Sequence, residues 1–355
     1  HSTISGALFG QYGRMGKYHV RRPLPVLLVA FAAILALVTS LSPATSVAAP
    51  ADPLAAAAQV EPAVVRIDTE IDYQNAIGNG TGIVLDPDGQ VLTNFHVVSG
   101  ADRINASVAG RTYPAELVGY DRGRDIAVLQ LIGAIGLPPA PIGDSAALVS
   151  GEPVVALGNA QGTNQPLTRE VGTVTGFGRT VNAEDTLTGS KDELSGLIEF
   201  AAPVVAGDSG GPVVNGAGQV VGITTAASVN YVLGPGGEGY AIPINDAMAI
   251  ANQIRARVPS DNVHIGPPVL LGVGVRTAQR GPGVFIAEVL RGGPAERAGL
   301  VDGDILLVLD GVSLDSATTL TYVLDRHYPG DVLDLTWLDR NGQQRTGKVA
   351  LTPTL

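Results

Sequence analysis

The chain has 355 residues, 45% of them apolar, with 46 glycines, no cysteine and a formal charge of −11. That length allows two or three domains with real cores. The lack of cysteine excludes a disulfide framework, a thiolate zinc site and cysteine nucleophiles. The acidic balance excludes nucleic acid as the main partner, because neutralising phosphates needs clustered Lys and Arg.

Residues 1–49 differ from the rest: they carry Arg14, Lys17, Arg21 and Arg22 and no acid. An apolar run from Pro25 to Leu41 follows, then SPATSVAAP. A basic head, an apolar stretch and small residues read as a secretory signal cut after Ala48 or Ala49. The alternative is a retained membrane anchor, for which the run is at the short edge. Either way the working domains are expected outside the cytoplasm, secreted or in the cell envelope. Residues 50–60 are Ala-rich and are expected to form a mobile lead-in.

From residue 61 to 258 short apolar runs alternate with Gly, Pro, Asn and Asp: AVVRID, TGIVLD, VLTNFHVV, DIAVLQL, EPVVALG, GTVTGFG, QVVGITT. Such runs predict a mainly β sandwich or barrel. DPDG, Asp86 to Gly89, predicts a hairpin turn. Asn245 to Val258 predicts a helix, capped by Asn245 or Asp246, with Met248, Ile250, Ala251 and Ile254 on one face. Residues 259–268, PSDNVHIGPP, break the pattern and read as a linker. Residues 269–355 form a second unit with strands at VLLGVGV, GVFIAEVL, DGDILLVLDG, DVLDLTWLD and RTGKVAL. A short helix at GPAERAGL and a longer one from Ser316 to His327 complete it.

One short stretch carries chemistry. VVAGDSGGPVV, Val204 to Val214, sets Ser209 among three glycines. A serine hydroxyl is a weak nucleophile unless a base activates it and an acid orients that base. Of the histidines, His1 and His19 fall in the export segment, His264 in the linker and His327 in the last unit, which leaves His96 in the β-rich domain. Asp125, directly before the apolar run IAVLQL, is preferred to Asp121 as the acid, since it can reach inward with that run. A lone histidine or aspartate is more often structural than catalytic; the company of the serine motif changes that reading. Gly207 and Ser209 are the natural pair of amide donors for an oxyanion, with the Asp208 amide beside them. His96 has no second His or Cys nearby, so neither a metal site nor a cofactor is expected.

TNFHVV, DIAVLQL and GDSGGPVVN, in that order, resemble the chymotrypsin-like serine proteases and, more closely, their HtrA/Deg branch. GNGTGIVLDPDGQVLTNFHVV, EPVVALGN and GYAIPIN match that branch too. QVVGITTAAS and VHIGP are similar to a secreted mycobacterial member. VLLGVGV, GGPAERAGLVDGDILLVLDG and the helix after Ser316 resemble the PDZ domain such proteases carry. The resemblance implies a chymotrypsin-like double β-barrel at 61–258 followed by one PDZ domain, β-sandwich-like with two helices. It implies His96 as general base, Asp125 as its orienter and Ser209 as nucleophile. It also implies trimers as a possible assembly, although the entry loop that some relatives use for this is short here. HtrA sequences usually carry Asn where this chain has Asp208. In digestive proteases that aspartate pairs with a freshly cut N-terminus, for which no activation site is visible here.

Pro203, Ile223, Thr224 and Thr225 are expected to line the substrate pocket. Nothing there holds a cation, so small to medium aliphatic residues are expected at the cleavage position, in unfolded or exported polypeptides. In the PDZ unit, Leu270, Leu271, Gly272 and Val273 are similar to the family's carboxylate-binding loop. Val275, Leu320 and Leu324 are candidates for its side-chain pocket, with plain core membership as the alternative reading; the ligands would be peptide C-termini. Peptide binding there is expected to raise activity by ordering loops Asn182–Ser195 and Ala227–Gly239. The competing function is a chaperone-like peptide binder with little turnover, which leaves the three matched residues unexplained.

Overall fold

The computed structural model describes residues 52–71, 76–184, 191–225, 237–278 and 281–353. The expected signal or anchor lies outside them. Among the described residues no helix is long and apolar enough to cross a membrane.

The expected lead-in is instead a short helix, α1 (Pro53–Ala58). Asp52 caps it, accepting from the Leu54 amide at 3.0 Å, and proline opens its first turn. Ala56 and Ala57 are buried. Alanine has the best helix propensity, so a run that reads as featureless is ready to fold once a cap starts it.

The strands β1 (Val64–Ile71), β2 (Ala76–Val84), β3 (Gln90–Thr93), β4 (Arg103–Val108), β5 (Arg111–Asp121) and β6 (Ile126–Leu131) run antiparallel in the order β5-β4-β1-β2-β3-β6. The pairing of β5 with β6 closes them into a barrel. The β1–β2 ladder reaches Ile71 and Ala76. The β2–β3 turn is the expected one: Asp86 Oδ1 accepts from the Asp88 and Gln90 amides, and Gly89 takes φ +90°. Between β3 and β4 stands a single helical turn, α2 (Phe95–Val98).

A second closed barrel follows, in the order β10-β11-β12-β9-β8-β7. Its strands are β7 (Pro153–Gly158), β8 (Thr168–Glu184), β9 (Lys191–Phe200), β10 (Pro212–Asn215), β11 (Val220–Thr224) and β12 (Gly239–Pro243). β8 and β9 stay paired out to Glu184 and Lys191. The expected loop Asn182–Ser195 is therefore mostly a strand hairpin, with 185–190 outside the described residues.

Helix α3 (Ile244–Arg255) then packs on β11 of the second barrel and on β5 and β6 of the first. Its buried face is Ile244, Ala247, Ala251 and Ile254. Asn245 does not cap it; its amide group donates to Asp144 at 2.7 Å and its Oδ1 accepts from the Ser145 amide. Within the expected linker, β13 (Val263–Ile265) pairs with Asp121, Tyr120 and Gly119 of β5, an extra edge strand on the first barrel. Three residues beside a proline-rich stretch are too few for periodicity to reveal.

The C-terminal unit pairs β14 (Val269–Leu270) with β21 (Thr352–Pro353). Its main sheet contains β15 (Val273–Thr277), β16 (Val284–Val289), β17 (Ile305–Leu309), β18 (Val312–Ser313), β19 (Val332–Leu338) and β20 (Gln344–Ala350). The two expected helices are α4 (Pro294–Arg297), followed by Gly299 at φ +94°, and α5 (Ala317–Leu324), where Ser316 caps the Thr319 amide. It keeps a separate core that includes Leu306, Leu320, Leu335 and Trp337.

Candidate active site

β3 ends at Thr93, and the α2 turn immediately presents His96. Across from it, Asp125 stands at the start of β6 with φ +54°, a left-handed conformation uncommon for a residue with a Cβ. That local strain turns the carboxylate onto His96. Asp125 Oδ2 faces His96 Nδ1 at 2.7 Å, and Oδ1 accepts from the His96 amide at 2.9 Å. The Asp125 carbonyl accepts from the Phe95 amide and from Asn94 Nδ2. The acid thus grips both ring and backbone. Asp121, its rival in the sequence, is buried and accepts from the Arg124 amide instead. Desolvation works against a charged His96, whose side chain is 46% exposed, but the charge and hydrogen bond of Asp125 outweigh it and hold the imidazole pKa above its usual value.

Ser209 comes from the second barrel. Its carbonyl accepts from the Thr81 amide of β2 at 2.8 Å, and the Thr81 carbonyl accepts from Thr93 Oγ1 at 2.7 Å. Thr93 lies three residues before His96, so two hydrogen bonds tie the serine loop to the segment that carries the histidine. On its own barrel, Gly210 N donates to the Thr224 carbonyl and Thr224 N to the Gly211 carbonyl. A Cβ at Gly210 would run into the Thr81 carbonyl and Thr93 Oγ1, so the close approach of the two barrels requires glycine there.

Before Ser209 the chain makes a turn from Val205 to Asp208. The Asp208 amide donates to the Val205 carbonyl at 3.0 Å and Gly207 takes φ +96°, the signature of a type II turn with glycine at its third position. The Gly207 carbonyl accepts from Thr81 Oγ1 at 2.7 Å and from the Asn159 amide. The Asp208 amide, expected beside the oxyanion donors, is used within the turn and is not free to serve there.

A trypsin-like peptidase domain matches residues 80–223 and a PDZ domain matches residues 269–351. The serine protease Do-like HtrA of Lactobacillus helveticus is 31% identical over 77% of this chain and 68% of that protein. The serine protease PepD of Mycobacterium tuberculosis is 32% identical over 83% of this chain and 65% of its own. The chain belongs to the HtrA-type serine proteases. A solved variant of the HtrA-type protease AlgW with a tripeptide superposes with TM-score 0.50 at 28% identity, covering 84% of this chain and 96% of that one. The protein is a serine endopeptidase with a double β-barrel and one PDZ domain, as the resemblance in its sequence implies.

The expected pocket residues of this HtrA-type protease fall in different settings. Ile223 and Thr224 are fully buried, Pro203 is exposed beside Gly237, and Thr225 donates its hydroxyl to Asp125 Oδ2 at 3.3 Å. Thr225 thus meets the acid rather than standing only as a wall. Residues 226–236, which include most of the expected loop Ala227–Gly239, lie outside the described residues. In the PDZ domain Gly272 has φ +80°, Leu270, Val273, Val275 and Leu324 are half-buried, and Leu271 and Leu320 belong to the core.

Behind His96 lies a cluster that the sequence does not reveal. Phe95, Tyr120, His264 and Tyr328 stack in series with ring centroids 4.1, 5.1 and 4.5 Å apart. Arg122 lies over the Phe95 ring at 4.7 Å. Asp325, just past α5 in the PDZ domain, accepts from Tyr120 Oη at 2.6 Å and from Arg122 Nε and Nη2 at 2.5 and 3.1 Å. His264 Nδ1 donates to the Asp325 carbonyl at 2.8 Å. Burial, and then the facing carboxylate, push the Tyr120 hydroxyl far above its usual pKa and keep it a donor. The only hint in the sequence was that His264 and Tyr120 break otherwise apolar or small runs. Among the described residues no group of three His, Asp or Glu side chains fits a metal ion.

Proposed function

We propose that the protein is an exported endopeptidase that cleaves unfolded or exported polypeptides through an acyl-enzyme on Ser209. His96 takes the serine proton and returns it to the leaving amine. Asp125 fixes the imidazole tautomer and stabilises the imidazolium. The Gly207 and Ser209 amides receive the oxyanion. The observation that carries this reading is the double grip of Asp125 on His96, at Nδ1 and at the backbone amide; a structural aspartate has no need of both. The apolar segment Phe200–Val205, which contains no acid, supports small aliphatic residues at the cleavage position. The basic and apolar segment before residue 50 supports export.

The PDZ domain binds peptide C-termini by strand addition and is coupled to the protease. The contacts of Asp325 with Tyr120 and Arg122, directly behind Phe95, support that coupling. The test is hydrolysis of peptides that vary only at the cleavage position, by wild type, Ser209→Ala and His96→Ala. Val and Ala should be cleaved faster than Arg and Lys, and both variants should be inactive. Faster cleavage after Arg or Lys would contradict the pocket reading.

A further inference from the structure

Asp208, the residue before the nucleophile, stands where HtrA sequences usually carry Asn. Its side chain is 1% exposed. Oδ1 accepts from the Thr168 hydroxyl of β8 at 2.6 Å, Oδ2 accepts from the Val205 amide at 3.0 Å, and the Ala160 amide donates to the carboxylate as well. The carboxylate lies over Gly158 at the end of β7, where a Cβ would run into Asp208 Oδ1 and the Asp208 Cα. One side chain therefore ties together β8, the loop after β7 and the first residue of the turn that carries Gly207.

We propose that Asp208 is a positioning residue whose ionised carboxylate holds the Val205–Asp208 turn in its type II form, so that loss of its charge releases the turn and lowers catalysis. The proposal rests on the reading of Gly207 as an oxyanion donor. Type I and type II turns differ by rotation of the central peptide, here Ala206–Gly207. Glycine accepts either sign of φ, so the turn residues alone do not choose between them. The choice lies with the anchors. On one side the Gly207 carbonyl is held by Thr81 and Asn159. On the other stands the Asp208 carboxylate, which meets a hydroxyl and two backbone amides and, when ionised, offers both oxygens to them as acceptors. An asparagine or a protonated acid keeps one oxygen as acceptor and turns an N–H or O–H from the other position, which the Thr168 hydroxyl can accept but a backbone N–H cannot.

The charged group that feels Asp208 is Glu170 of β8. Arg169, between Thr168 and Glu170, pairs with Glu61 at 2.6 Å. Burial raises the Asp208 pKa, partly offset by the bonds from Thr168, Val205 and Ala160. Burial, and then Asp208 itself, raise that of Glu170. Because the folded pKa of Asp208 is raised, this group favours the folded state more as pH falls through it and less as pH rises. Acid should therefore weaken catalysis while the Asp208 contribution to folding grows, a divergence that a purely structural anchor would not produce.

The experiment measures kcat and KM against pH with a fluorogenic peptide, and affinity for a peptide aldehyde, on full-length wild type, Asp208→Asn and Thr168→Val. The aldehyde carbon accepts Ser209 Oγ, and its oxygen then needs the oxyanion donors. Wild type should lose activity in acid with the steepness of two ionisations, His96 and Asp208. D208N should lose about tenfold or more in kcat with KM within about twofold, bind the aldehyde more weakly and show a single-ionisation acid limb. T168V removes a bond that lowers the Asp208 pKa, so its acid limb should move to higher pH. A folded D208N with wild-type kcat, acid limb and aldehyde affinity would overturn the proposal. If D208N does not fold, an unchanged T168V profile overturns it. Wild type that hydrolyses no peptide at any pH would overturn the nucleophile reading itself, and this proposal with it.

Discussion

At the scale of single residues the account turns on His96 and Asp125. The base must be neutral to accept the serine proton, and Asp125 holds its pKa above the ordinary histidine value. The acid limb of kcat/KM should therefore have its upper midpoint above about pH 6.5; a midpoint below that value would contradict the pairing. Asp125→Asn keeps the size of the side chain but presents an NH2 group to Nδ1. It should lower kcat by about 10⁴ with little change in KM, as expected when the wrong tautomer is stabilised. The pairing of these two residues was legible in the sequence because the order His, Asp, Ser and the motifs around them are specific. The Thr225 contact with Asp125 was not, since nothing in GITT shows which hydroxyl turns toward the first barrel. The aromatic stack was hidden for a similar reason: Phe95, Tyr120, His264 and Tyr328 come from four separate stretches, and only the fold brings them together.

At the scale of elements, the Val205–Asp208 turn and the strands around it set the site. Gly207→Ala places a side chain at φ +96°, with its Cβ 2.8 Å from the Ala160 Cα. Such a residue either strains the turn or flips it. The expected result is a loss of about 10² or more in kcat with a folded chain by circular dichroism; near-wild-type turnover would count against the oxyanion turn. The barrel strands themselves were readable from their apolar runs and the Asp/Gly turns between them. Short elements were not. α1 needed its Asp52 cap, β13 needed β5 as a template, and the β8–β9 ladder runs on through polar residues that sequence alone reads as loop.

At the scale of the whole molecule, the PDZ domain contributes to the surroundings of His96. Asp325 joins Tyr120 and Arg122, and through the Phe95 ring these contacts reach the helical turn that carries His96. Asp325→Ala removes the carboxylate that Tyr120 and Arg122 share. It should slow acylation of Ser209 by about fivefold or more, a coupling of the size usual between linked sites, while peptide binding at the PDZ domain itself persists. An unchanged acylation rate would sever the link between the domains. Asp325 could not be singled out beforehand, because in the sequence it is one more acid at the end of a helix.

The central claim is that Ser209 is an activated nucleophile. Intact-protein mass after reaction with a fluorophosphonate tests it most directly, on wild type, Ser209→Ala and His96→Ala. The account predicts one adduct on wild type, located at Ser209, and none on either variant. No adduct on folded wild type, with or without a PDZ-binding peptide, would contradict it and favour a peptide-binding role with little turnover.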